Sequence, residues 1–583
     1  MKGVPTRFLA ASAAAALIAG CGNSAAPIES RDGSVISSPN VLVILVDDLG
    51  YSDLGAFGSE ISTPNIDRLA REGRVLTNFH STPLCATSRA ELLTGADHHL
   101  VGVGTLPESA PFYPNNSDYA GVFNDHALTI ATLLRDAGYH TYMAGKWHLG
   151  SGGPVKWGFE QSFSLEYNSA FASNFAVTTG HPESAARSHY ENGKQAAVPD
   201  DFFSSDYYTG KLVDYIGHDH GDGRPFFAYL AFQAVHFPLQ VPDDYRHLYD
   251  GRYDAGYAAI RAARIQKQKD LGIIPQDFRE NPGDEATMVR FGQPGVLLNQ
   301  SWEQLSADDR KSEARIMEIF AGMLTNLDDN VGRLFDYLKQ IGEYERTLIV
   351  FVSDNGADGM GYGFIPYVDT VDPSSGLTID NSFGNYGQRS SFLFRSTRWA
   401  EVGNVPFRLF KGFTAEGGIG VPAIARLPAQ SAGEPASGAL SSLLDVAPTI
   451  LELAGIAAPG AQYQGHDIAA IEGASLLPVL RDQSEAVHAQ DEVIADEVND
   501  IRYVRKGPWK MTRIVNYMLP SAAELLNHDW QLYDIVHDRG ETHDVAAGHP
   551  DIVAALTADW AAYVARVHAV NPILPPILTP IDQ

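Results

Sequence analysis

Cysteine is scarce in this chain. Its 583 residues include only two cysteines, Cys21 and Cys85, and Cys21 lies in an apolar N-terminal segment with the pattern of an export signal. Cys85 therefore has no partner in the mature chain, which excludes a disulfide framework and a zinc site with four thiolate ligands. Because a lone cysteine is usually a small buried hydrophobic residue, a function for Cys85 requires support from its neighbours.

Positive charge is also scarce. Lys and Arg number 42 against 71 Asp and Glu, which gives a net charge of −29. This balance argues against nucleic acid as a partner, since binding phosphates requires clustered basic residues. An anionic substrate would need a local positive site. The hydrophobic share of 44% is typical of a well-cored globular protein, and the length predicts two domains.

Beyond the N-terminus, the chain has no apolar run long enough for a transmembrane helix. Two basic residues precede the apolar run 8–20, which is too short to span a bilayer. Residues 1–21 resemble a bacterial lipoprotein signal peptide, in which Cys21 is lipidated and becomes the new N-terminus, and residues 22–38 would form a tether. We expect an exported, periplasmic protein with a lipid anchor to a membrane. An ordinary secretory signal is the alternative.

Two apolar runs end in side chains that carry oxygen ligands. Residues 41–46 and 347–352 are unbroken apolar runs, as expected of strands buried on both faces. Four oxygen donors follow them: Asp47 and Asp48 after the first run, Asp354 and Asn355 after the second. Ligands bind beyond the carboxyl ends of parallel strands, so these side chains would meet at one edge. Such a cluster favours Ca²⁺ or Mg²⁺, although one Asp-Asp pair alone would indicate a helix cap or a turn.

Two more strand candidates lead to basic side chains. Lys146 and His148 follow residues 139–144 and alternate, so on an extended segment they face the same side. Glycines on both sides of them allow backbone to approach a ligand. His236 follows the apolar run 225–232. A lone histidine is more often structural, but this combination favours a function.

The segment that begins at Cys85 is typical of a short helix that ends at Gly95. This places the sulfur at a helix N-terminus beside Arg89. We expect that environment to depress the pKa of the thiol and to favour anions.

Six motifs, in this order, resemble those of a sulfatase of the alkaline phosphatase superfamily: 40–50, the Cys85 segment, 145–150, His236, 353–356 and 411–418. The similarity is to bacterial arylsulfatases of the formylglycine type and extends over nearly the whole chain from Pro39. It implies an α/β fold with a large mixed, mostly parallel sheet flanked by helices, and a smaller C-terminal α+β domain. The implied boundaries are 39–460 for the catalytic domain and 461–583 for the small domain.

The resemblance also implies a site for hydrolysis of sulfate monoesters, most of all aryl sulfates. One Ca²⁺ would be held by four oxygen donors: Asp47, Asp48, Asp354 and Asn355. A maturation enzyme would oxidise Cys85 to formylglycine, whose hydrated diol attacks sulfur and forms a covalent sulfo-enzyme intermediate.

The resemblance assigns the remaining roles to basic residues around Cys85. Arg89 would hold the diol, and Lys146 would bind sulfate oxygens together with Lys411. His236, with Lys411, would stabilise or protonate the leaving alkoxide. His148 would remove the proton whose loss expels sulfate from the intermediate.

Thr87 departs from the family motif, which has proline two residues after the cysteine, and this leaves the extent of Cys85 modification open. Two alternatives to a sulfatase are a phosphonate monoester or phosphodiester hydrolase with the same site, and a non-catalytic sulfoester-binding lipoprotein with an unmodified thiol. Segments 181–200 and 366–396 are long and poorly periodic. We expect them to form walls of the substrate pocket.

Overall fold

The computed structural model describes residues 28–29, 35–36, 38–150, 152–166, 172–176, 189–281, 301–359, 379–430, 432–514 and 530–571. The predicted signal peptide with Cys21 and most of the predicted tether lie outside these residues, so export and lipid anchoring stay predictions. Within the described part, no helix combines the length and apolar character needed to cross a membrane.

A nine-stranded sheet forms the centre of the protein. In chain order its strands are β1 (Asn40–Val46), β2 (Arg74–Leu76), β3 (His140–Lys146), β4 (Gln161–Leu165), β5 (His189–Glu191), β6 (Lys194–Gln195), β7 (Phe226–Ala231), β8 (Thr347–Ser353) and β9 (Ala423–Arg426). Their order in space is β2-β9-β8-β1-β7-β3-β4-β5-β6. The five central strands, from β8 to β4, are parallel, and the two at each edge run antiparallel to their neighbours.

Helices cover both faces of this sheet. The described helices are α1 (Pro64–Glu72), α2 (Cys85–Thr94), α3 (Ile130–Asp136), α4 (Gly153–Lys156), α5 (Ser204–Asp219), α6 (Gly256–Leu271), α7 (Ala307–Gln340), α8 (Thr397–Gly403), α9 (Glu416–Ile419), α10 (Val446–Ala454), α11 (Leu477–Leu480) and α12 (Pro550–Val567). Alternate residues of β1 face two separate cores. Leu42 and Ile44 pack on the side of α1, α5 and α7, whereas Val41 and Val43 pack on the side of α2, α3 and α10. Burial on both faces explains why the run is unbroken.

A smaller antiparallel sheet follows toward the C-terminus. It contains β10 (Val493–Val498), β11 (Ile501–Lys506), β12 (Trp509–Arg513) and β13 (Gln531–Asp534), in that order. Trp560 of α12 packs with Val504 and Leu532 of this sheet. The predicted fold class is therefore confirmed. The predicted boundary at residue 460 stays a prediction.

Ionic contacts join the small sheet to the rest of the protein. Lys510 of β12 is fully buried, and its Nζ lies 2.8 Å from an oxygen of Glu416 and 2.8 Å from an oxygen of Glu541. Because Glu416 begins α9, the small sheet is tied to the chain that follows Lys411. Three two-stranded pairs complete the described strands: Ile28–Glu29 with Val35–Ile36, Phe79–His80 with Ser441–Ser442, and Gln462–Tyr463 with His466–Asp467.

The expectation of an irregular segment over 181–200 is wrong for residues 189–195, which form the hairpin β5–β6 at the sheet edge. The turn is Asn192-Gly193, with φ of 51° and 74°. Asn-Gly is the preferred pair for a two-residue turn with positive φ at both positions, so the sequence carried a hairpin signal. Residues 181–188 lie outside the described residues.

The second predicted loop lies beside His236 over its described part, 379–396. Leu239 N–H donates to the carbonyl of Leu393 (2.8 Å), and Val241 N–H donates to that of Gly387 (2.9 Å). This contact places the segment next to a predicted site residue, while residues 366–378 lie outside the described residues. Its role as a pocket wall stays a prediction.

Candidate active site

The ends of β1 and β8 bring four oxygen donors together. The two strands are parallel neighbours, with Ser353 opposite Val46, so the residues after each strand lie side by side. Asp48 N–H donates to Asp354 Oδ1 (3.2 Å), and Asn355 Nδ2 donates to Asp48 Oδ1 (2.7 Å). The four predicted ligands, which include Asp47, are at most 1% exposed. They meet at one sheet edge, as the sequence predicted.

Burial shifts the ionisation of these carboxyls. It raises the pKa of Asp48 to about 8, although Lys411 opposes the rise, and it raises the pKa of Asp354 to about 6. For Asp47, nearby cations, of which Lys146 acts most strongly, outweigh burial and hold the pKa well below its usual value. Asp48 therefore retains a proton near neutral pH unless another cation neutralises it.

The arrangement leaves coordinating atoms unused. Asp47 Oδ1 and Asn355 Oδ1 are buried, and neither has a hydrogen-bond partner among the residues that the structure describes. Buried polar atoms without a partner are rare and costly. One ligand atom from each of Asp47, Asp48, Cys85 and His236 also lies within 4.8 Å of the others. A donor set dominated by oxygen fits a hard divalent cation.

Three cationic side chains surround the carboxylates. Each pairs mainly with one of them: Lys146 Nζ with Asp47, Arg89 Nε and Nη2 with Asp354 (3.1 and 2.7 Å), and Lys411 Nζ with the oxygens of Asp48 (2.8 and 2.9 Å). When Asp48 is ionised, as a metal ligand must be, the three positive and three negative charges balance. A divalent ion would therefore leave excess positive charge for an anionic ligand, within a protein of net charge −29.

Cys85 is the first residue of α2, and its Sγ lies 4.0 Å from Asp48 Oδ1. It is 2% exposed. The expectation of a depressed thiol pKa is wrong, because burial raises that pKa well above its ordinary value even though Lys146 and Lys411 oppose the rise. The helix N-terminus does not compensate for removal of the thiolate from water.

Arg89 binds one carboxylate of the site and one backbone carbonyl beside it. Its Nε and Nη2 donate to Asp354, and its Nη1 donates to the backbone carbonyl of Lys146 (2.8 Å). Arg89 is completely buried. It therefore fixes the relative positions of β8 and the end of β3.

The two predicted histidines border the same centre. His236 Nδ1 donates to the carbonyl of Phe237 (2.7 Å), and its Nε2 lies 3.5 Å from Asp48 Oδ2. His148 Nε2 lies 3.2 Å from Glu108 Oε2. Burial lowers the pKa of both rings, and Lys146 adds to the effect on each. Both histidines are therefore neutral bases near neutral pH.

Sequence reasoning missed Glu108 and Asp358. Glu108 belongs to no recognisable motif, and only the fold brings it to His148, where burial is outweighed and its pKa falls to about 2. Asp358 Oδ2 lies 3.5 Å from Lys411 Nζ. Its position two residues after the motif 353–356 was a signal that sequence reasoning could have used.

Thr87 occupies the position of the family's proline without disturbing the helix start. Its Oγ1 donates to the carbonyl of Leu84 (2.8 Å) and contacts Thr82 Oγ1. Thr82 Oγ1 also lies 2.8 Å from Ser88 Oγ. These hydroxyls form a small buried network at the beginning of α2.

Comparisons with known proteins identify the family of the chain. The sulfatase family matches residues 39–456. An uncharacterised sulfatase of Schizosaccharomyces pombe is 38% identical over 547 residues, which cover 91% of this chain and 94% of that protein. An arylsulfatase of Klebsiella aerogenes is 35% identical over 425 residues, with 72% and 87% covered. The N-acetylgalactosamine-6-sulfatase of Mus musculus is 27% identical over 463 residues, with 76% and 66% covered.

Solved structures share the fold at lower identity. Ps i-CgsB in complex with k-i-k-neocarrahexaose matches with a TM-score of 0.60 and 23% identity, covering 90% of this chain and 92% of that one. BT4656 in complex with its substrate D-glucosamine-2-N,6-O-disulfate matches with a TM-score of 0.55 and 20% identity, covering 92% and 99%. The extent of the family match and the identity to full-length relatives show that the chain belongs to the sulfatase family and is a sulfuric ester hydrolase.

Proposed function

We propose that this sulfatase hydrolyses aryl sulfate monoesters at a centre that contains Ca²⁺ and a formylglycine derived from Cys85. The observation that carries the proposal is the position of Cys85 Sγ, 4.0 Å from Asp48 in a buried ring of oxygen donors. A thiol with a raised pKa is a poor nucleophile there. The position therefore suits a different chemical group at residue 85.

The four oxygen donors Asp47, Asp48, Asp354 and Asn355 would hold the Ca²⁺. When bound, the ion would act as a Lewis acid on the sulfate and would acidify the attacking hydroxyl. Asp47 Oδ1 and Asn355 Oδ1, which lack hydrogen-bond partners in the described ranges, are available as ligands. Arg89 keeps Asp354 in place through two donors.

A maturation enzyme would have to act before α2 folds. Cys85 is 2% exposed in the first turn of the helix, so the folded protein offers the sulfur to no other enzyme. Once formed, the hydrated aldehyde would supply a hydroxyl nucleophile beside Asp48.

The chain's own basic groups would bind and orient the ester. Lys146 and Lys411 would donate to sulfate oxygens, since both lie against the carboxylates that border residue 85. His236 shares Asp48 with Lys411, and this pair would stabilise or protonate the leaving oxygen. His148 is a neutral base supported by Glu108, which suits removal of a proton from residue 85. Loss of one preorganised donor of this kind typically costs ~10²–10³ in rate.

The preference for aryl esters follows the Klebsiella aerogenes relative. Sulfated sugars are the competing class, because the relatives include an N-acetylgalactosamine-6-sulfatase and the solved structures include BT4656 with its substrate D-glucosamine-2-N,6-O-disulfate. Rates on an aryl sulfate, an N-acetylgalactosamine-6-sulfate and an aryl phosphonate, measured side by side, test the choice. Faster turnover of the sugar or of the phosphonate would overturn the aryl assignment.

Mass spectrometry of the peptide that contains residue 85 tests the modification. After co-expression with a formylglycine-generating enzyme, we expect the aldehyde in that peptide and none in Cys85→Ala, which also lacks turnover. Full activity in protein that carries only free thiol would overturn the proposed nucleophile. Free thiol without turnover would support a binding protein.

We also propose that the protein is an exported, periplasmic lipoprotein anchored through Cys21. The support is the sequence pattern of residues 1–21. Fractionation of cells tests it: Cys21→Ser is expected to move the enzyme out of the membrane fraction. An unchanged distribution would contradict the anchor.

A further inference from the structure

A second buried cluster of ionisable side chains lies where α2 meets the small sheet. Glu91 comes from α2, His98 from the chain after that helix, and Asp496 from β10. One ligand atom of each lies within 4.8 Å of the others. All three residues are at most 7% exposed. The cluster is separate from the ten residues assigned to the active site.

Glu91 is a buried carboxyl that forms no side-chain hydrogen bond or ion pair within the described ranges. The charged groups that act most strongly on it are all carboxylates: Asp496, Asp97, Glu472 and Asp445. Burial and these neighbours raise its pKa well above its ordinary value. A buried carboxylate without a cation is costly, so this position requires a proton or a metal ion.

His98 and Asp496 present atoms that suit a metal. His98 Nδ1 donates to the carbonyl of Val103 (2.9 Å), since a carbonyl can only accept. If the ring is neutral, Nε2 carries the lone pair, and its 2.8 Å contact with Asp496 Oδ1 then requires a proton from Asp496, which a metal ion would replace. A carbonyl on the second nitrogen is a usual support for a metal-bound histidine. Asp496 Oδ2 is buried and has no hydrogen-bond partner among the described residues.

The neighbouring group Asp97, His98 and His99 is equally compact but is occupied. His99 Nδ1 lies 2.8 Å from Asp97 Oδ1, and its Nε2 lies 3.1 Å from Glu497 Oε2. Against the effect of burial, these carboxylates raise the pKa of His99 to about 10. The resulting imidazolium has no lone pair for a metal, and Asp97 also lies 3.5 Å from Arg566 Nη2.

We propose that Glu91, His98 Nε2 and Asp496 bind a second divalent cation, of the Zn²⁺ class, with water in the remaining position. Zinc accepts imidazole nitrogen and carboxylate oxygen in one site, whereas calcium takes oxygen ligands. The ion would neutralise the buried carboxylates and would fasten α2, which carries Cys85, to β10. The site is structural and does not rest on the proposed catalytic function.

The number of zinc ions bound per chain, measured in a variant of the proposed Ca²⁺ site, tests the proposal. Asp354→Asn removes a ligand of the proposed Ca²⁺ site, and any zinc that still binds to Asp47, Asp48, Cys85 and His236 is common to all the variants that are compared. After chelation and dialysis of the full-length protein against Zn²⁺, elemental analysis is expected to give one more ion per chain in D354N than in D354N combined with Glu91→Gln or Asp496→Asn.

Glu472→Gln in the same D354N background is the matched control, because Glu472 is also a partly buried carboxyl with a pKa raised by burial to about 7 but lies outside the donor set. It is expected to retain the ion. No zinc in D354N, or equal zinc with and without Glu91→Gln, would overturn the proposal.

Crystals of the protein without substitutions give a measurement that does not depend on whether a variant folds. Anomalous scattering at the zinc edge is expected to place a peak among Glu91, His98 Nε2 and Asp496 after a zinc soak. The lack of a peak there would refute the site and would leave a proton shared by Glu91 and Asp496 as the explanation. Activity does not enter either measurement, so failure of the catalytic proposal would be seen separately.

Discussion

Acidification is expected to weaken Ca²⁺ binding at the active site. A protonated carboxyl is a poor metal ligand, so metal and proton compete. Burial raises the pKa of Asp48 to about 8 and that of Asp354 to about 6. Each group therefore takes up a proton as the pH falls through its pKa, and Ca²⁺ affinity is lost in that direction.

The size of the effect follows from these two pKa values. Between pH 8 and pH 6, proton competition at Asp48 lowers the apparent affinity by about 50-fold, and Asp354 contributes about twofold more. The product is about 100-fold, or ~3 kcal/mol. Carboxyls with ordinary pKa values would remain ionised over this range and would produce almost no change.

Isothermal titration with Ca²⁺ at both pH values, in buffers of different ionisation enthalpy, measures the affinity and the protons released. The matched control is Glu108→Gln, because Glu108 has a pKa of about 2 and contacts His148 instead of the ligand set. It is expected to show the same pH dependence. In the protein without substitutions, a change in Ca²⁺ affinity of less than about threefold between the two pH values would refute the assignment of Asp48 as a buried ligand with a raised pKa.

Three further changes test other parts of the structure. Arg89→Lys is expected to lower the Ca²⁺-saturated rate by ~10²-fold, because lysine cannot make both contacts with Asp354. An unchanged rate would contradict the role of Arg89 in holding Asp354. Glu108→Gln removes a carboxylate that raises the pKa of His148. The acidic limb of the pH–rate profile should therefore move to lower pH, and a shift to higher pH would contradict the role of His148 as the base. Lys510→Met removes the buried cation that Glu416 and Glu541 share, although Arg539 still contacts Glu416. It is expected to cost ~3–5 kcal/mol in denaturant unfolding. A loss below ~1 kcal/mol would show that the pair adds little.

The sequence predicted the sheet and the ligand edge because both depend on local patterns. Residues 41–46 and 347–352 are apolar without interruption, which strands buried on both faces require, and β1 and β8 confirm this. Since parallel neighbours end at the same edge, Asp48 and Asp354 had to meet. No knowledge of distant contacts was needed for that step.

The remaining features depend on contacts between distant parts of the chain. His98 and Asp496 are 398 residues apart in sequence, and no local pattern indicates that they touch. The thiol pKa of Cys85 was predicted in the wrong direction, because a helix terminus is visible in sequence while complete burial is not. The β5–β6 hairpin was missed for a different reason, since the Asn192-Gly193 turn was present but was not used.

Helix α2 contains Cys85 and several buried polar residues. Every one of its residues is buried, so polar positions in it must be satisfied by specific partners rather than by water. Arg89 meets Asp354, and Thr87 bonds to the carbonyl of Leu84. A proline at position 87 would fit the first helical turn, where the backbone N–H has no partner within the helix, but it would lose this hydroxyl contact. Threonine therefore contributes a hydrogen bond to the folded helix. Under the proposed function, proline would contribute only to recognition of the unfolded segment by the maturation enzyme. Under that function, the departure at Thr87 would thus bear on the yield of formylglycine, because the folded helix begins normally with threonine at that position.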